Sequence, residues 1–308
     1  MRILTNHVHT GYDYELAKMG HEWFALEFGR PWDTDLRPLP PNWHVVKDPA
    51  RVDYDVILAQ WLDGARAFAP LPGPMIWNVV ADCSEGEVDG ALEARVHAVN
   101  FLAHEVADRW QMADPAKKRV IEMALDPATW GPYVGDGMGH DVLTVGYGVG
   151  DRWDKGRCQL LVFDQVFGRV DLAGPANEGL RPSIGTLSPE RLCEAYRHYK
   201  VYFNPGPVVG ISVAEAMLSG MPVVTFRPIT LNRLIVDEVT ALVTDTLDGA
   251  HLRIRRLLGD PALRARIGQA GQALARRMFD PVDKARKWTA LFAAAKETWQ
   301  RVPALTVR

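Results

Sequence analysis

The chain has 308 residues, which is enough for two domains of ordinary size, each with its own core. Its 47% hydrophobic and 24% charged residues are the balance of a globular protein, and the net charge of −3 lacks the basic excess of nucleic-acid-binding domains. Because of this charge balance we expect no nucleic-acid partner. Cys83, Cys158 and Cys193 lie far apart without C-x-x-C spacing, which argues against a disulfide framework or a structural zinc site.

The start of the chain lacks a signal-peptide pattern, and no apolar run approaches the roughly 18 residues of a membrane span. Widely spaced cysteines fit a reducing compartment. We therefore expect a cytoplasmic protein.

Short apolar runs alternate with helical stretches in the first part of the chain. Strands are predicted at 2–5, 54–59, 75–80 and 119–123, and helices at 14–19 and 91–110. Within 91–110, the residues that recur at helical spacing are Leu92, Val96, Val99 and Val106. The alternation predicts βαβ units and a parallel sheet, as in α/β proteins.

A second series of strands is predicted further along the chain, at 141–145, 160–163, 200–203, 222–226 and 241–244. Between the two series, four glycines in the nine residues 131–139 indicate a linker. The sequence therefore predicts two Rossmann-like domains, the first at 1–134 and the second at 140–281.

Residues 201–226, VYFNPGPVVGISVAEAMLSGMPVVTF, predict a strand, a loop, a helix and a second strand in succession. Ser212 stands three residues before Glu215, which is the spacing of a capping box, and Gly220 is expected to end the helix. A helix that begins at the carboxyl end of a parallel strand presents N–H groups and a positive dipole end. This arrangement suits a diphosphate.

The same segment resembles the donor-binding core of retaining GT-B-fold glycosyltransferases of the family 4 kind. The matching positions are Gly210-Ile211, Glu215-Ala216-Met217, Gly220 and Pro222-Val223-Val224. Stretches that agree in the family's order are LAKMGHE at 16–22, LDPATWGP at 125–132, KG at 155–156 and IGTLS at 184–188. The family's first glutamate would fall at Pro207, and no acidic residue occurs from 201 to 214.

The resemblance implies a GT-B architecture, in which two Rossmann-like domains face each other across a cleft. The first domain would bind the acceptor and the second, 140–281, the donor, while the last helix, within 282–308, would cross back to the first domain. The implied activity is a metal-independent, retaining transfer of a hexose without a cofactor. The donor would be a UDP-, GDP- or ADP-sugar, and the acceptor a glycan, a lipid or a small molecule.

Two basic residues are the expected catalytic groups, because fixed positive charge must meet the charge that grows on the departing diphosphate. By resemblance these are Lys155 and Arg152. The family places an arginine at the position of Gly150, so Arg152 would act from a different loop position. The alternative is that both residues pair with Asp151 and Asp154 on a solvated loop.

Donor binding is expected from both domains. The resemblance implies that the backbone of Gly210, Ile211 and Ser212 holds phosphate or sugar, and that Glu215 accepts hydrogen bonds from the ribose hydroxyls. The loop containing Gly11, in HVHTGY, resembles the glycine-containing loop of the first domain that approaches the diphosphate.

Two other features have competing interpretations. His7 and His9 are two residues apart, as in some metal sites, but no cysteine or glutamate follows at ligand spacing, so we expect no metal. From 251 to 279 there are seven arginines and one acidic residue, Asp260. That composition suits either a peripheral contact with an anionic membrane or one solvated face of two helices.

Two hypotheses compete with the transferase. Pro207 supports a GT-B-fold protein that binds nucleotide or glycan without transfer, because proline offers no polar side chain to a donor sugar. A sugar-nucleotide epimerase of similar fold is the third hypothesis, although its acidic and histidine positions cannot be placed in this sequence.

Overall fold

The structure is a computed structural model that describes residues 1–28, 31–80, 86–151 and 155–301. It divides into two compact units, one made of Met1–Ala124 and the chain from Pro281 on, the other of Leu125–Asp280. Each unit is built on a parallel sheet flanked by helices, which confirms the predicted α/β class with two Rossmann-like domains.

The first unit is organised by a seven-stranded parallel sheet of order β3-β2-β1-β4-β5-β7-β9. Its strands, with the separate pair β6 and β8, are β1 (Arg2–Asn6), β2 (Glu22–Leu26), β3 (Trp43–Val45), β4 (Val56–Gln60), β5 (Met75–Val79), β6 (Gly86–Glu87), β7 (Ala98–Phe101), β8 (Trp110–Gln111) and β9 (Lys118–Val120). Its first four helices are α1 (Thr10–Ala17), α2 (Trp61–Phe68), α3 (Gly90–Arg95) and α4 (His104–Arg109).

The single helix predicted at 91–110 is wrong. The segment contains α3, then β7, then α4. β7 is paired with β5 on one side and with β9 on the other, and all four of its residues are buried. A strand covered on both faces reads as a continuous apolar run, so the helical spacing of Val96 and Val99 was misleading.

The second unit is organised by a six-stranded parallel sheet of order β12-β11-β10-β13-β14-β15. The strands are β10 (Val142–Val145), β11 (Asp171–Ala173), β12 (Ser183–Gly185), β13 (Val201–Asn204), β14 (Val223–Phe226) and β15 (Leu242–Thr244). The helices are α5 (Arg157–Val166), α6 (Pro189–His198), α7 (Ile211–Ser219), α8 (Leu247–Gly259) and α9 (Pro261–Met278).

The strand predicted at 160–163 is also wrong, because these residues lie within α5. Leu160 and Phe163 are nearly one helical turn apart and both are buried against the sheet core. The Phe163 ring packs 4.9 Å from the Phe203 ring of β13. The strand of this region is β11, further along the chain.

The glycine-rich stretch 131–139 belongs to the second unit. The backbone N–H groups of Tyr133 and Gly137 donate to the carbonyls of Ser219 and His198, which are the last residues of α7 and α6. The two units divide before this stretch, between Ala124 and Leu125.

The last helix, α10 (Pro281–Arg301), packs within the first unit. Lys284 forms a 2.8 Å ion pair with Glu122, and the Trp288 and Phe292 rings stack at 5.4 Å. Both rings are buried. Among the described helices, none is long and apolar enough to cross a membrane.

Both sheets reverse their strand order at the first strand. β1 lies between β2 and β4, and β10 lies between β11 and β13. In open parallel sheets ligands bind outside the carboxyl ends of the strands at this switch point. The described segments that directly follow β1 and β10 in the chain, near 7–11 and 146–151, are therefore in the right place for ligand binding.

Candidate functional site

The strand, loop, helix and strand predicted for 201–226 are confirmed as β13, α7 and β14. Gly220 ends α7 in the left-handed conformation, with φ of 94°, as expected. The capping box is wrong, because the N-cap of α7 is Gly210 and Ser212 already lies inside the first turn. Within the described residues no side chain caps α7, which leaves its first-turn N–H groups for another acceptor.

Two tyrosines hold the side chains that the sequence assigned to the cap. The Tyr202 hydroxyl lies 3.0 Å from Ser212 Oγ, and the Tyr196 hydroxyl lies 3.1 Å from Glu215 Oε2. Glu215 is 4% exposed. Sequence reasoning missed both tyrosines, because no local pattern indicates a hydrogen bond between different elements.

Burial raises the pKa of Tyr202 well above its usual range, although hydrogen bonds with Ser212 and Val145 oppose the shift. Its phenol therefore stays protonated at neutral pH. The same hydroxyl lies 3.1 Å from the Val145 carbonyl at the end of β10. Tyr202 thus connects the carboxyl end of β10 to the first turn of α7.

Lys155 lies beside the start of α7. Its Nζ would be 3.7 Å from a Cβ atom built at Gly210. Gly156 follows in the left-handed region, with φ of 77°, and a Cβ there would lie 2.3 Å from the Pro205 carbonyl. Only glycine fits this approach. The loop after β10 and the loop after β13 are therefore in contact, and an ammonium lies at their junction.

The loop that follows β13 is fixed by hydrogen bonds to its neighbours. The Asn204 amide donates to the carbonyls of Gly206 and Val208 and to Thr225 Oγ1. The Ile229 N–H donates to the carbonyl of Pro207, the residue at the family's first glutamate position. Asn204 therefore uses its amide nitrogen to shape the loop.

Asn177 fixes the glycine-rich loop after β10. Its side-chain oxygen accepts from Val149 N–H, and its nitrogen donates to the carbonyls of Gly146 and Gly174. A Cβ at Gly174 would collide with the Gly146 carbonyl oxygen. Asn177, which is 1% exposed, thus holds the segment that leads toward Lys155. No sequence signal marked this residue.

The structure therefore brings five of the predicted site residues together in the second unit: Lys155, Gly210, Ile211, Ser212 and Glu215. Arg152 lies outside the described residues. Gly11 lies in the first unit, in the first turn of α1 at the switch point of that sheet.

The loop with Gly11 is organised by a buried carboxylate. Asp13 accepts hydrogen bonds from the N–H groups of Val8 and His9 and from the Gln60 side chain. His7 Nδ1 lies 2.8 Å from Asp13 Oδ2, and His9 caps α1 by accepting from Tyr12 N–H. Both histidines thus have local structural partners, and no group of potential metal ligands occurs among the described residues.

The arginine-rich helices α8 and α9 make ion pairs with a neighbouring loop. Arg253 and Arg256 both contact the Glu238 carboxylate, and Arg253 also contacts Asp237. Arg266 donates to the Glu238 carbonyl. At least these three arginines therefore have partners on the protein itself.

Comparison with known proteins gives a partial match to one family model and a similarity of fold. Residues 148–290 match the family model described as Glycosyl transferase-like. The comparison with curated proteins gives no significant match.

Several solved structures are similar to this chain over nearly its whole length. The chain superposes with a TM-score of 0.74 and 15% identity on sucrose-phosphate synthase from Thermosynechococcus elongatus, over 97% of this chain and 100% of that one. For Anabaena HepE in complex with UDP and glucose, the TM-score is 0.77 and the identity 14%, over 96% of this chain and 100% of that one. For AviGT4, a glycosyltransferase involved in avilamycin A biosynthesis, the TM-score is 0.62 and the identity 19%, over 97% of this chain and 98% of that one. The chain thus has the GT-B fold, and its residues 148–290 are similar to the glycosyl transferase-like family.

Proposed function

We propose that the protein is a glycosyltransferase that moves a hexose from a nucleoside diphosphate sugar to an acceptor. The observation that carries the proposal is the position of Lys155 beside Gly210, at the start of α7 and at the switch point of the second sheet. A cation and a helix N-terminus that meet at one point form a site for an anion such as a diphosphate.

In this proposal Lys155 stabilises the negative charge that develops on the departing nucleoside diphosphate. The N–H groups of Ile211 and Ser212, together with the backbone at Gly210, bind the phosphate or the sugar, and Arg152 adds a second positive charge. Such fixed groups need little reorganisation during the reaction, which is how preorganised electrostatics lowers a barrier.

Glu215 is proposed to accept hydrogen bonds from the ribose hydroxyls. It lies one turn into α7 from Gly210, so a nucleotide whose phosphates lie at the helix start has its ribose within reach of this carboxylate. The first unit would contribute the loop with Gly11 and would bind the acceptor.

Transfer is proposed to be metal-independent and to retain the anomeric configuration, with the acceptor attacking from the face of the leaving group. The donor would be a UDP-, GDP- or ADP-sugar and no cofactor would be needed. UDP is a reasonable first probe, because HepE was solved with UDP and glucose.

The acceptor would be a glycan, a lipid or a small molecule, and the compartment would be the cytoplasm. Peripheral membrane contact through α8 and α9 has weaker support, because Arg253 and Arg256 are ion-paired.

A second candidate function is binding without transfer. Its support is Pro207, which occupies the position of the family's first glutamate and whose carbonyl is bonded to Ile229. A site that lacks this carboxylate has lost one contact to the donor sugar while keeping its contacts to the nucleotide.

A thermal-shift screen with UDP, GDP, ADP and their sugars tests the donor site. A ligand at 100 times its dissociation constant should stabilise the protein by about 2.7 kcal/mol. Release of nucleoside diphosphate from the stabilising sugar nucleotide, with water or an acceptor, then separates enzyme from binder. Binding without release would favour the second candidate, and no stabilisation by any of these ligands would contradict both.

A further inference from the structure

Tyr196 makes an interaction that the transfer reaction alone does not explain. Its hydroxyl lies 3.1 Å from Glu215 Oε2 and also 3.1 Å from the Ser212 carbonyl. The side chain is fully buried, and its ring packs edge-on against Trp130 at 5.4 Å. Tyr196 belongs to α6, so the contact joins two helices of the second unit.

A tyrosine hydroxyl has one proton, and the two nearby oxygens compete for it. The Ser212 carbonyl lies inside α7, where the N–H of Ala216 is its helical partner. A carboxylate forms a shorter and stronger hydrogen bond than a neutral carbonyl does. Both oxygens lie 3.1 Å from the hydroxyl, and on acceptor strength we expect it to donate to Glu215.

We propose that Tyr196 is a positioning residue that orients Glu215 for recognition of the nucleotide ribose. This inference rests on the proposed function, in which Glu215 binds the ribose hydroxyls. The hydrogen bond from Tyr196 restricts the rotamers of the Glu215 side chain and so holds its carboxylate in one orientation before the ribose binds. A long glutamate side chain otherwise loses rotamer entropy when it binds a ligand, which weakens binding.

Tyr202 provides a matched control. It is also buried, it also bonds to the first turn of α7, and its ring lies 6.2 Å from that of Tyr196. Its hydroxyl contacts Ser212 Oγ and the Val145 carbonyl, not the Glu215 carboxylate. Removing its hydroxyl therefore perturbs the same helix start without releasing Glu215 directly.

The test measures dissociation constants by calorimetry for the UDP, GDP or ADP that binds the wild type best and for its 2′,3′-dideoxy form. Tyr196→Phe keeps the ring packing and removes only the hydroxyl. We expect it to weaken binding of the ribonucleotide about tenfold, while binding of the dideoxy nucleotide stays within about twofold of wild type. In turnover the donor KM should rise with kcat unchanged, because the lost interaction contributes equally to binding of the donor and of the transition state.

Three results would overturn part of the account, and they are distinguishable. If Tyr196→Phe weakens both nucleotides equally, as we expect for Tyr202→Phe, Tyr196 is merely structural and this inference fails alone. It also fails alone if Tyr196→Phe leaves both affinities unchanged while Glu215→Gln removes the preference for the ribonucleotide. If the wild type has no such preference, or binds none of the three nucleotides, the proposed role of Glu215 fails and the inference fails with it.

Discussion

The Lys155 ammonium lies 3.7 Å from the place that a Cβ atom would take at Gly210, the N-cap of α7. Lys155, which follows β10, and the start of α7, which follows β13, thus lie next to each other. The two strands that carry them, β10 and β13, are neighbours at the switch point of the sheet. The proposed anion site therefore depends on how two neighbouring strands of the sheet place their loops, and not on one sequence motif.

Gly210→Ala should weaken nucleoside diphosphate binding without unfolding the protein. The backbone at Gly210 has φ of −112° and ψ of −167°, which alanine adopts without strain, and the new methyl group meets Lys155 at an ordinary contact distance. Stability in urea should change by about 0.5 kcal/mol or less. The methyl group occupies the space where the phosphate is proposed to bind, so the dissociation constant should rise about tenfold by calorimetry, which corresponds to about 1.4 kcal/mol.

The control for that variant is Gly259→Ala at the end of α8, where a Cβ would have nothing within 4 Å. It should change neither stability nor affinity appreciably. An unchanged diphosphate affinity in Gly210→Ala would mean that the phosphate does not bind at this helix start.

Gly156→Ala should destabilise the second unit. The residue has φ of 77°, and a Cβ would lie 2.3 Å from the Pro205 carbonyl, so backbone strain and a collision with backbone act together. We expect a loss of about 3 kcal/mol in urea unfolding, more than the 1–2 kcal/mol of left-handed strain alone.

Gly179→Ala separates the two contributions, because Gly179 has φ of 85° and nothing within 4 Å of its Cβ position. Its cost should be about 1–2 kcal/mol. Equal losses in the two variants would contradict the tight packing of the loops after β10 and β13.

Asp171→Asn should lower the free energy of unfolding at neutral pH, and this loss should be much smaller at acidic pH. Burial alone would raise the pKa of Asp171, but hydrogen bonds from Tyr199 and His140 outweigh it and lower the pKa below its usual range. The stabilisation is therefore present above the ordinary aspartate pKa of about 3.9 and is lost as the pH falls through the lower folded value. Urea unfolding at several pH values should show a difference of about 2 kcal/mol at pH 7 that shrinks in acid.

Asp245→Asn is the control for this pH dependence. Asp245 also has a lowered pKa, through a hydrogen bond from Arg227, but both side chains are exposed. Exposed pairs contribute little, so its urea midpoint should hardly move at any pH. A pH-independent loss in Asp171→Asn would show that the carboxylate charge at Asp171 is unimportant.

Lys284→Met should destabilise the first unit. Lys284 and Glu122 form a 2.8 Å ion pair in which the side chains are 4% and 14% exposed. Removing the ammonium takes away the nearer partner of the largely buried Glu122 carboxylate and leaves the His104 imidazole 3.8 Å from it. Breaking a buried ion pair on one side typically costs about 3–5 kcal/mol. The double variant Glu122→Leu/Lys284→Met removes both charges and should recover much of that loss in urea unfolding. A single variant as stable as wild type would contradict the importance of this pair.

The sequence was sufficient for the α/β class and for the order of the strand, loop, helix and strand at 201–226. It succeeded there because turn chemistry at 204–207 and the left-handed Gly220 are local signals. It failed at 160–163, since a short apolar run fits a strand and a buried helix equally well.

The candidate site was predictable only in part. Lys155 and Gly210 are 55 positions apart in the sequence, and the expectation that they act together came from family resemblance, not from a local pattern. The capping box failed because α7 begins earlier, with Gly210 as its N-cap, and the Ser212 and Glu215 side chains contact Tyr202 and Tyr196 instead. These contacts depend on how α6 and β13 pack on α7, which no window of sequence contains.

If Lys155 and the start of α7 form a diphosphate site, calorimetric titration with UDP, GDP and ADP should detect it. The wild type should bind one diphosphate clearly more tightly than the matching monophosphate. Lys155→Ala should weaken binding of the diphosphate about tenfold and binding of the monophosphate much less. The reason is that the ammonium is assigned to the terminal phosphate, which a monophosphate lacks. Lys200→Ala, which removes a lysine paired with Asp141 just before β13, should leave both affinities unchanged. Equal binding of diphosphate and monophosphate, unaffected by Lys155→Ala, would contradict the account.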